Sequence, residues 1–158
     1  MKILIAYYSK TGKTERVAKD LAEGLNADIE KIIDQKNRQG IWGYISGGRD
    51  ALKKRLTEIG PITKNPADYD LIILGMPVWG WNLTPALRTY LLENKDKIKD
   101  YAFFVTSGNT EADKMIKYFQ EIMSKEAKAL VGFNEKELTN QKIYQEKIND
   151  FITKIKQM

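Results

Sequence analysis

The stretch from Tyr7 to Ala18 constrains the fold more than any other part of this chain. An apolar run, Ile3 to Tyr8, ends in a hydroxyl-rich turn, Ser9 to Thr14. A helical pattern begins at once, with Val17, Ala18, Leu21, Ala22 and Leu25 on one stripe. In a strand–turn–helix of this kind the first backbone N–H groups of the helix have no intrahelical partner, and the helix dipole favours negative charge there. Ser9, Thr11 and Thr14 add three hydroxyl donors, and Gly12 lets the backbone approach a ligand closely. The turn therefore reads as a cradle for a phosphate group.

The same alternation continues along the chain. Lys2 to Tyr8 predicts a strand buried on both faces, and Ala27 to Ile33, carrying Asp28, Glu30 and Lys31, predicts an edge strand. Asp70 to Gly75, Tyr101 to Thr106 and Ala129 to Phe133 predict three more. Between them, Thr84 followed by Pro85 marks a helix start with Thr as N-cap. Thr110 to Asp113 resembles a capping box ahead of Met115, Ile116, Phe119, Ile122 and Met123. Ile148, Phe151, Ile152 and Ile155 form the stripe of a last helix. Five strands and about five helices in βα alternation predict an α/β fold: three layers, with a doubly wound, five-stranded parallel sheet. The least regular part is Asp34 to Pro66. It is read as a glycine–aromatic loop (Gly40, Ile41, Trp42, Gly43, Tyr44, Ile45, Gly47, Gly48) followed by a helix within Arg49 to Ile59.

Composition removes whole classes of chemistry. The 158 residues are expected to form one domain, and the 42% apolar content suits a soluble globular chain. No stretch has membrane-spanning length, and the N-terminal run is short for a signal peptide, so a cytoplasmic home is expected. Without cysteine or histidine there are no disulfides, no thiolate chemistry, no zinc site of the usual kinds and no Ser-His-Asp catalysis. The net charge of +5 points weakly to acidic partners. Between Lys36 and Arg55 stand six basic residues (Lys36, Arg38, Arg49, Lys53, Lys54, Arg55) against one acid, Asp50. Trp42 and Tyr44 lie among them, but no nucleic-acid module signature accompanies them, so nucleic acid is not expected as a partner.

Ligands of doubly wound sheets bind outside the carboxyl ends of the strands, at the point where strand order reverses. Three loops are expected at that edge. They are the Ser9 to Thr14 turn, the Pro77-Val78-Trp79-Gly80-Trp81-Asn82 segment, and Thr106-Ser107-Gly108-Asn109-Thr110. They offer a phosphate cradle, flat aromatic walls, and backbone and hydroxyl polar groups, which together suit a phosphorylated ligand with a flat ring system.

On these residues the chain resembles the flavodoxins. Ser-Lys-Thr-Gly-Lys-Thr is similar to the phosphate loop of that family, usually Ser/Thr-x-Thr-Gly-x-Thr, and the other two loops fall where the family holds its isoalloxazine ring. The match runs strand by strand over essentially the whole chain, in the short form whose fifth strand has no insertion. The resemblance implies a flavodoxin-like sheet of strand order 2-1-3-4-5 and noncovalently bound FMN. Ser9, Thr11, Gly12, Lys13 and Thr14 would hold the phosphate, with Lys10 contributing its backbone. Trp79 or Trp81, or both, would stack on the ring, within a loop that also includes Pro77, Val78 and Asn82. The third loop, which opens at Thr106, would meet the pyrimidine edge through the backbone of Ser107, Gly108 and Asn109. The peptide after Gly80 would flip to offer its carbonyl to N5 of the half-reduced ring. Flavodoxins are typically acidic, and this chain is basic, which bears on its flavin potential and its partner.

Alternatives follow from the same residues. A capped helix without ligand is opposed by three hydroxyls and Gly-Lys-Thr within six residues. Gly12-Lys13-Thr14 copies the end of a nucleoside-triphosphate loop, but Tyr7 stands where that loop needs a glycine. Loss of the flavin with retention of the fold is opposed by the intact turn. Two functions remain. One is an electron carrier between redox partner proteins; the other is an FMN-dependent oxidoreductase acting on NAD(P)H and a quinone or related acceptor. No catalytic acid or base is identifiable, and flavin electron transfer does not require one.

Overall fold

The computed structural model describes residues 1–36, 40–109 and 111–158. Arg38 and Thr110, and the side chains of Ile41 and Tyr44, lie outside the described residues. The elements run β1 (Ile3–Tyr7), α1 (Lys13–Leu25), β2 (Asp28–Lys31), α2 (Gly40–Leu52), β3 (Leu71–Pro77), α3 (Pro85–Asn94), β4 (Asp100–Ser107), α4 (Ile116–Met123), β5 (Leu130–Asn134), α5 (Glu135–Thr139) and α6 (Gln141–Lys156). The strands form one sheet, ordered β2-β1-β3-β4-β5, with every pairing parallel.

Side-chain alternation along the strands divides the interior in two. Ile3, Ile5, Ile73 and Phe104 point to one face, where Leu21 of α1 and Ile148 and Phe151 of α6 cover them. Leu4, Ile72, Leu74, Phe103 and Val105 point to the other, under Leu87 of α3 and Phe119 of α4. Burial on both faces explains why β1, β3 and β4 read as unbroken apolar runs. β2 sits at the edge, as its charges predict. Its one buried residue is held by the chain that follows α2: the Glu30 carboxylate accepts from the Thr63 amide and hydroxyl and from the Lys64 amide at 2.7–3.1 Å. Further along, Gly60 N–H donates to Ile33 O at 2.8 Å.

The connection after β2 departs from expectation. The glycine–aromatic stretch is helix α2 rather than a loop, and of the range Arg49 to Ile59, within which a helix is expected, only Arg49 to Leu52 are helical, as the end of α2. Lys54 turns at φ 52°, and Thr57 N–H then docks on Thr89 Oγ1 at 3.1 Å. The physical reason lies outside the segment. Gly43, Gly47 and Ala51 form the inward stripe of α2, and a Cβ on Gly47 would stand 2.6 Å from the Trp79 ring. Glycine is there because the helix presses on an indole. Buried Asp50 anchors its end, accepting from Lys36 at 2.9 Å and Arg55 at 3.3 Å.

Helix α3 starts where Thr84-Pro85 predicts it. Thr84 occupies the N-cap of α3, but its hydroxyl makes no capping bond and has no partner. The capping box expected over Thr110 to Asp113 involves Thr110, outside the described residues; before α4, Ala112–Met115 form a 3₁₀ turn. A full capping box stands elsewhere: Asn134 Oδ1 accepts from Glu137 N–H at 3.0 Å, and Asn134 N–H donates to Glu137 Oε2 at 2.8 Å, starting α5.

Candidate functional site

A cleft of about 490 Å³ opens beyond the carboxyl ends of β1, β3 and β4. β2 and β3 flank β1, so the cleft lies where the strand order reverses. Ten of the residues singled out in the sequence meet there: Lys10, Thr11, Lys13 and Thr14 from the first turn, Pro77, Val78 and Trp79 after β3, and Thr106, Ser107 and Gly108 after β4.

The first turn is built to present a helix end. Tyr8 N–H still donates to Gly75 O at 2.9 Å, so the chain leaves the sheet only at Ser9. Ser9 Oγ then accepts from Gly12 N–H at 3.2 Å. Gly12 is the N-cap of α1 at φ 88°, a conformation that suits glycine, and no side chain caps this helix. Ser9 and Gly12 thus frame the cradle rather than line the cleft. Thr14 and Thr106, both buried, sit with their hydroxyls 2.8 Å apart and bolt the cradle to the end of β4. Val78 N–H donates to Thr106 O at 2.9 Å and draws in the third wall.

Charge in the cleft comes from both signs. Lys13 Nζ pairs with both carboxylate oxygens of Glu135 at 2.5 and 2.7 Å, about half exposed on either side. Lys10 Nζ lies 5.7 Å from the Trp79 ring centroid, so its side chain, as well as its backbone, belongs to the site. Glu135 and Leu138 of α5 complete the lining. Sequence reasoning missed both; the signal available was the Asn134-x-x-Glu137 capping box directly after β5, which starts a helix at this same edge. Behind the cradle, the Lys19 and Lys31 ammoniums hydrogen-bonded to Glu15 hold its carboxyl down at about 2. Burial, reinforced by Glu15, pushes the Tyr7 phenol up to about 12.

The two tryptophans of the second loop part company. Trp79 is 5% exposed, with Tyr8 edge-on at 5.5 Å and Gly47 of α2 against its benzo ring. It is a locked wall of the cleft. Trp81 is 70% exposed and borders a separate hollow against the segment from Asp113 to Gln120. Between them, Asn82 N–H donates to Trp79 O at 3.0 Å, and Gly80 and Trp81 have φ values of 52° and 54°. That is the φ signature of a type I′ turn. Gly80 is doubly required, because a Cβ there would stand 2.7 Å from Gly48 O. The far leg is fixed: Asn82 Oδ1 accepts from Leu83 N–H and from Arg88, both at 2.8 Å. Arg88 is buried, its Nε has no partner, and burial lowers its pKa. Asn109, from the third loop, borders a neighbouring hollow with Asn134 and Glu137.

An uncapped helix start beside a rigid indole can hold an anion at one end of the cleft and a flat ring at the other. No helix among the described residues is long and apolar enough to cross a membrane. Comparison with known proteins agrees with this architecture. The flavoprotein of Lactobacillus acidophilus, solved in complex with FMN, shares 22% identity at a TM-score of 0.68, over 87% of this chain and 95% of that one. A candidate flavoprotein of Bacteroides eggerthii shares 21% identity at a TM-score of 0.71, over 95% and 97%. Oxidised flavodoxin 2 of Bacillus cereus shares 18% identity at 0.58, over 100% of both. None of the curated proteins matches the chain significantly. A family model described as flavodoxin matches residues 2–155, and on that match the chain belongs to the flavodoxin family.

Proposed function

We propose that the chain binds FMN noncovalently in the cleft and carries electrons between redox proteins. The observation that supports this most is the meeting, in one cavity, of an uncapped helix N-terminus, a buried indole and the β4 loop. The residues fit the group. Gly12 leaves the approach to α1 open, with nothing within 4 Å of where its Cβ would stand, and the cleft volume lies in the range of cofactor sites, about 300–1,000 Å³. The FMN complex of the similar Lactobacillus protein is consistent with this assignment.

When bound, FMN supplies reversible one- and two-electron chemistry. The chain's own residues do the rest. The first amides of α1 and the hydroxyls of Thr11 and Thr14 hold the phosphate, and Trp79 excludes water from one side of the ring. Lys10 and Lys13 place positive charge near it, partly offset by Glu135. We propose the cytoplasm as its compartment.

Titration of the apoprotein with FMN tests the assignment. Stoichiometric quenching of flavin fluorescence is expected, with riboflavin, which lacks the phosphate, binding at least about tenfold more weakly. Equal affinity for the two ligands refutes the phosphate cradle. Anaerobic mixing of the loaded protein with NADPH or NADH then separates carrier from oxidoreductase. The carrier leaves the flavin absorbance unbleached until a reductase is added, and direct stoichiometric bleaching assigns NAD(P)H as substrate.

A further inference from the structure

We infer that the strip formed by Trp42, Ile45 and Leu52 of α2, together with Trp81, is a docking surface for an acidic redox protein. This rests on the FMN site proposed above. Positions 42, 45 and 52 fall within one narrow arc of a helix, and their side chains are exposed by 83%, 55% and 57%. The opposite stripe is the glycine-rich face pressed on Trp79. Trp81 joins the strip because the Gly80 turn packs against Gly48 and Leu52. An indole held at φ 54° in water costs on the order of 1 kcal/mol, so nothing in the fold itself accounts for its presence. Exposed aromatic clusters of this kind mark interaction surfaces. The strip and the cleft share helix α2 and the Gly80 turn: Gly47 touches the Trp79 ring from the inner face of the helix, and Trp81 follows Trp79 by two residues. A protein seated there stands beside the loop that walls the cleft.

Charge selects the occupant. Arg49 lies in the same arc as Ile45 and Leu52, and Lys53 follows it; both are exposed, with no carboxylate within ion-pair distance among the described residues. Lys117 borders the hollow of about 470 Å³ beside Trp81, with Asp113 as the opposing exposed acid. The nearby Glu121 is already held by Lys54, and Asp50 is buried. A second copy of a +5 chain would bring like charges face to face, whereas an acidic rim around an apolar centre is complementary.

The test measures reduction of the FMN-loaded protein by a photoreduced acidic plant-type ferredoxin. One electron leaves the iron–sulfur cluster, whose iron is oxidised, and arrives on the flavin; no covalent bond forms or breaks. Methyl viologen radical, which needs no docking surface, serves as the control donor. The second-order rate with ferredoxin is expected to fall steeply with added salt. Trp42→Ser with Trp81→Ser, and separately Arg49→Glu, are expected to lower it at least tenfold at low salt, while the viologen rate stays within twofold. A ferredoxin rate insensitive to salt or to all of these variants overturns the docking surface. A wild-type dimer in sedimentation that the double tryptophan variant abolishes assigns the strip to a second copy and equally overturns it. Absence of flavin bleaching by viologen is a different failure, that of the FMN assignment itself.

Discussion

Trp79 and Trp81 are two residues apart, and their neighbours give them opposite tasks. Tyr8 and Gly47 fix Trp79 as a wall of the cleft, so Trp79→Ala is expected to weaken FMN binding by about 1–3 kcal/mol, on the scale of aromatic stacking on flat bases. Trp81→Asn, at a position whose positive φ asparagine tolerates, is expected to leave FMN affinity unchanged. It should raise stability by about 1 kcal/mol, through relief of left-handed strain. Fluorescence titration and the urea midpoint check the pair; a loss of affinity in Trp81→Asn alone would exchange the two roles. Both residues were legible in the sequence as loop aromatics at the ligand edge. Their separation was not, because it depends on a helix contributed from thirty residues upstream. Gly80 shows the same limit: its Cβ-free position serves the turn and also admits Gly48 O, so Gly80→Ala perturbs packing along with any peptide flip.

Helix α2 shows where local signals mislead. Glycine is a poor helix former, by about 1 kcal/mol against alanine, and four glycines between Gly40 and Gly48 read locally as a loop. Tertiary packing overrides that preference, since any side chain at Gly47 would collide with Trp79. Adjacent positions should therefore respond oppositely. Gly48→Ala meets nothing within 4 Å and is expected to stabilise by about 1 kcal/mol with FMN affinity unchanged. Gly47→Ala is expected to lose about 1–3 kcal/mol of stability by overpacking, and to weaken FMN by displacing Trp79. Urea denaturation and FMN titration of the two variants check this; matching responses would show that the helix does not press on the indole. The strands were far more legible than this helix, because burial on both faces writes β1, β3 and β4 directly as apolar runs. Their spatial order came from the family resemblance, since nothing within a strand names its neighbour.

Across the molecule, several carboxylates are held below their usual range. Hydrogen bonds from Lys19 and Lys31 bring Glu15 to about 2; the Lys2 amide lowers Asp70, and Lys54 lowers Glu121. For Glu137, burial acts in the opposite sense, but the Asn134 amide and Lys147 outweigh it. A carboxyl with a depressed folded-state pKa stabilises the fold above its unfolded pKa, and that contribution is lost as pH falls towards the folded value. Stability is therefore expected to decline as pH drops from about 4.5 towards about 2, with Glu15→Gln flattening part of the slope. Urea midpoints measured across that window check the sign, and an unchanged slope in the variant would remove Glu15 from the account. The edge strand β2 has one more consequence at this scale. Thr63 and Lys64 clasp only the Glu30 side chain, and Gly60 meets Ile33 beyond the strand, so the outer edge of β2 keeps Asp28, Ile29 and Lys31 exposed. Charges of both signs at Asp28 and Lys31, rather than a covering segment, discourage another molecule's strand from extending the sheet into a fibril there.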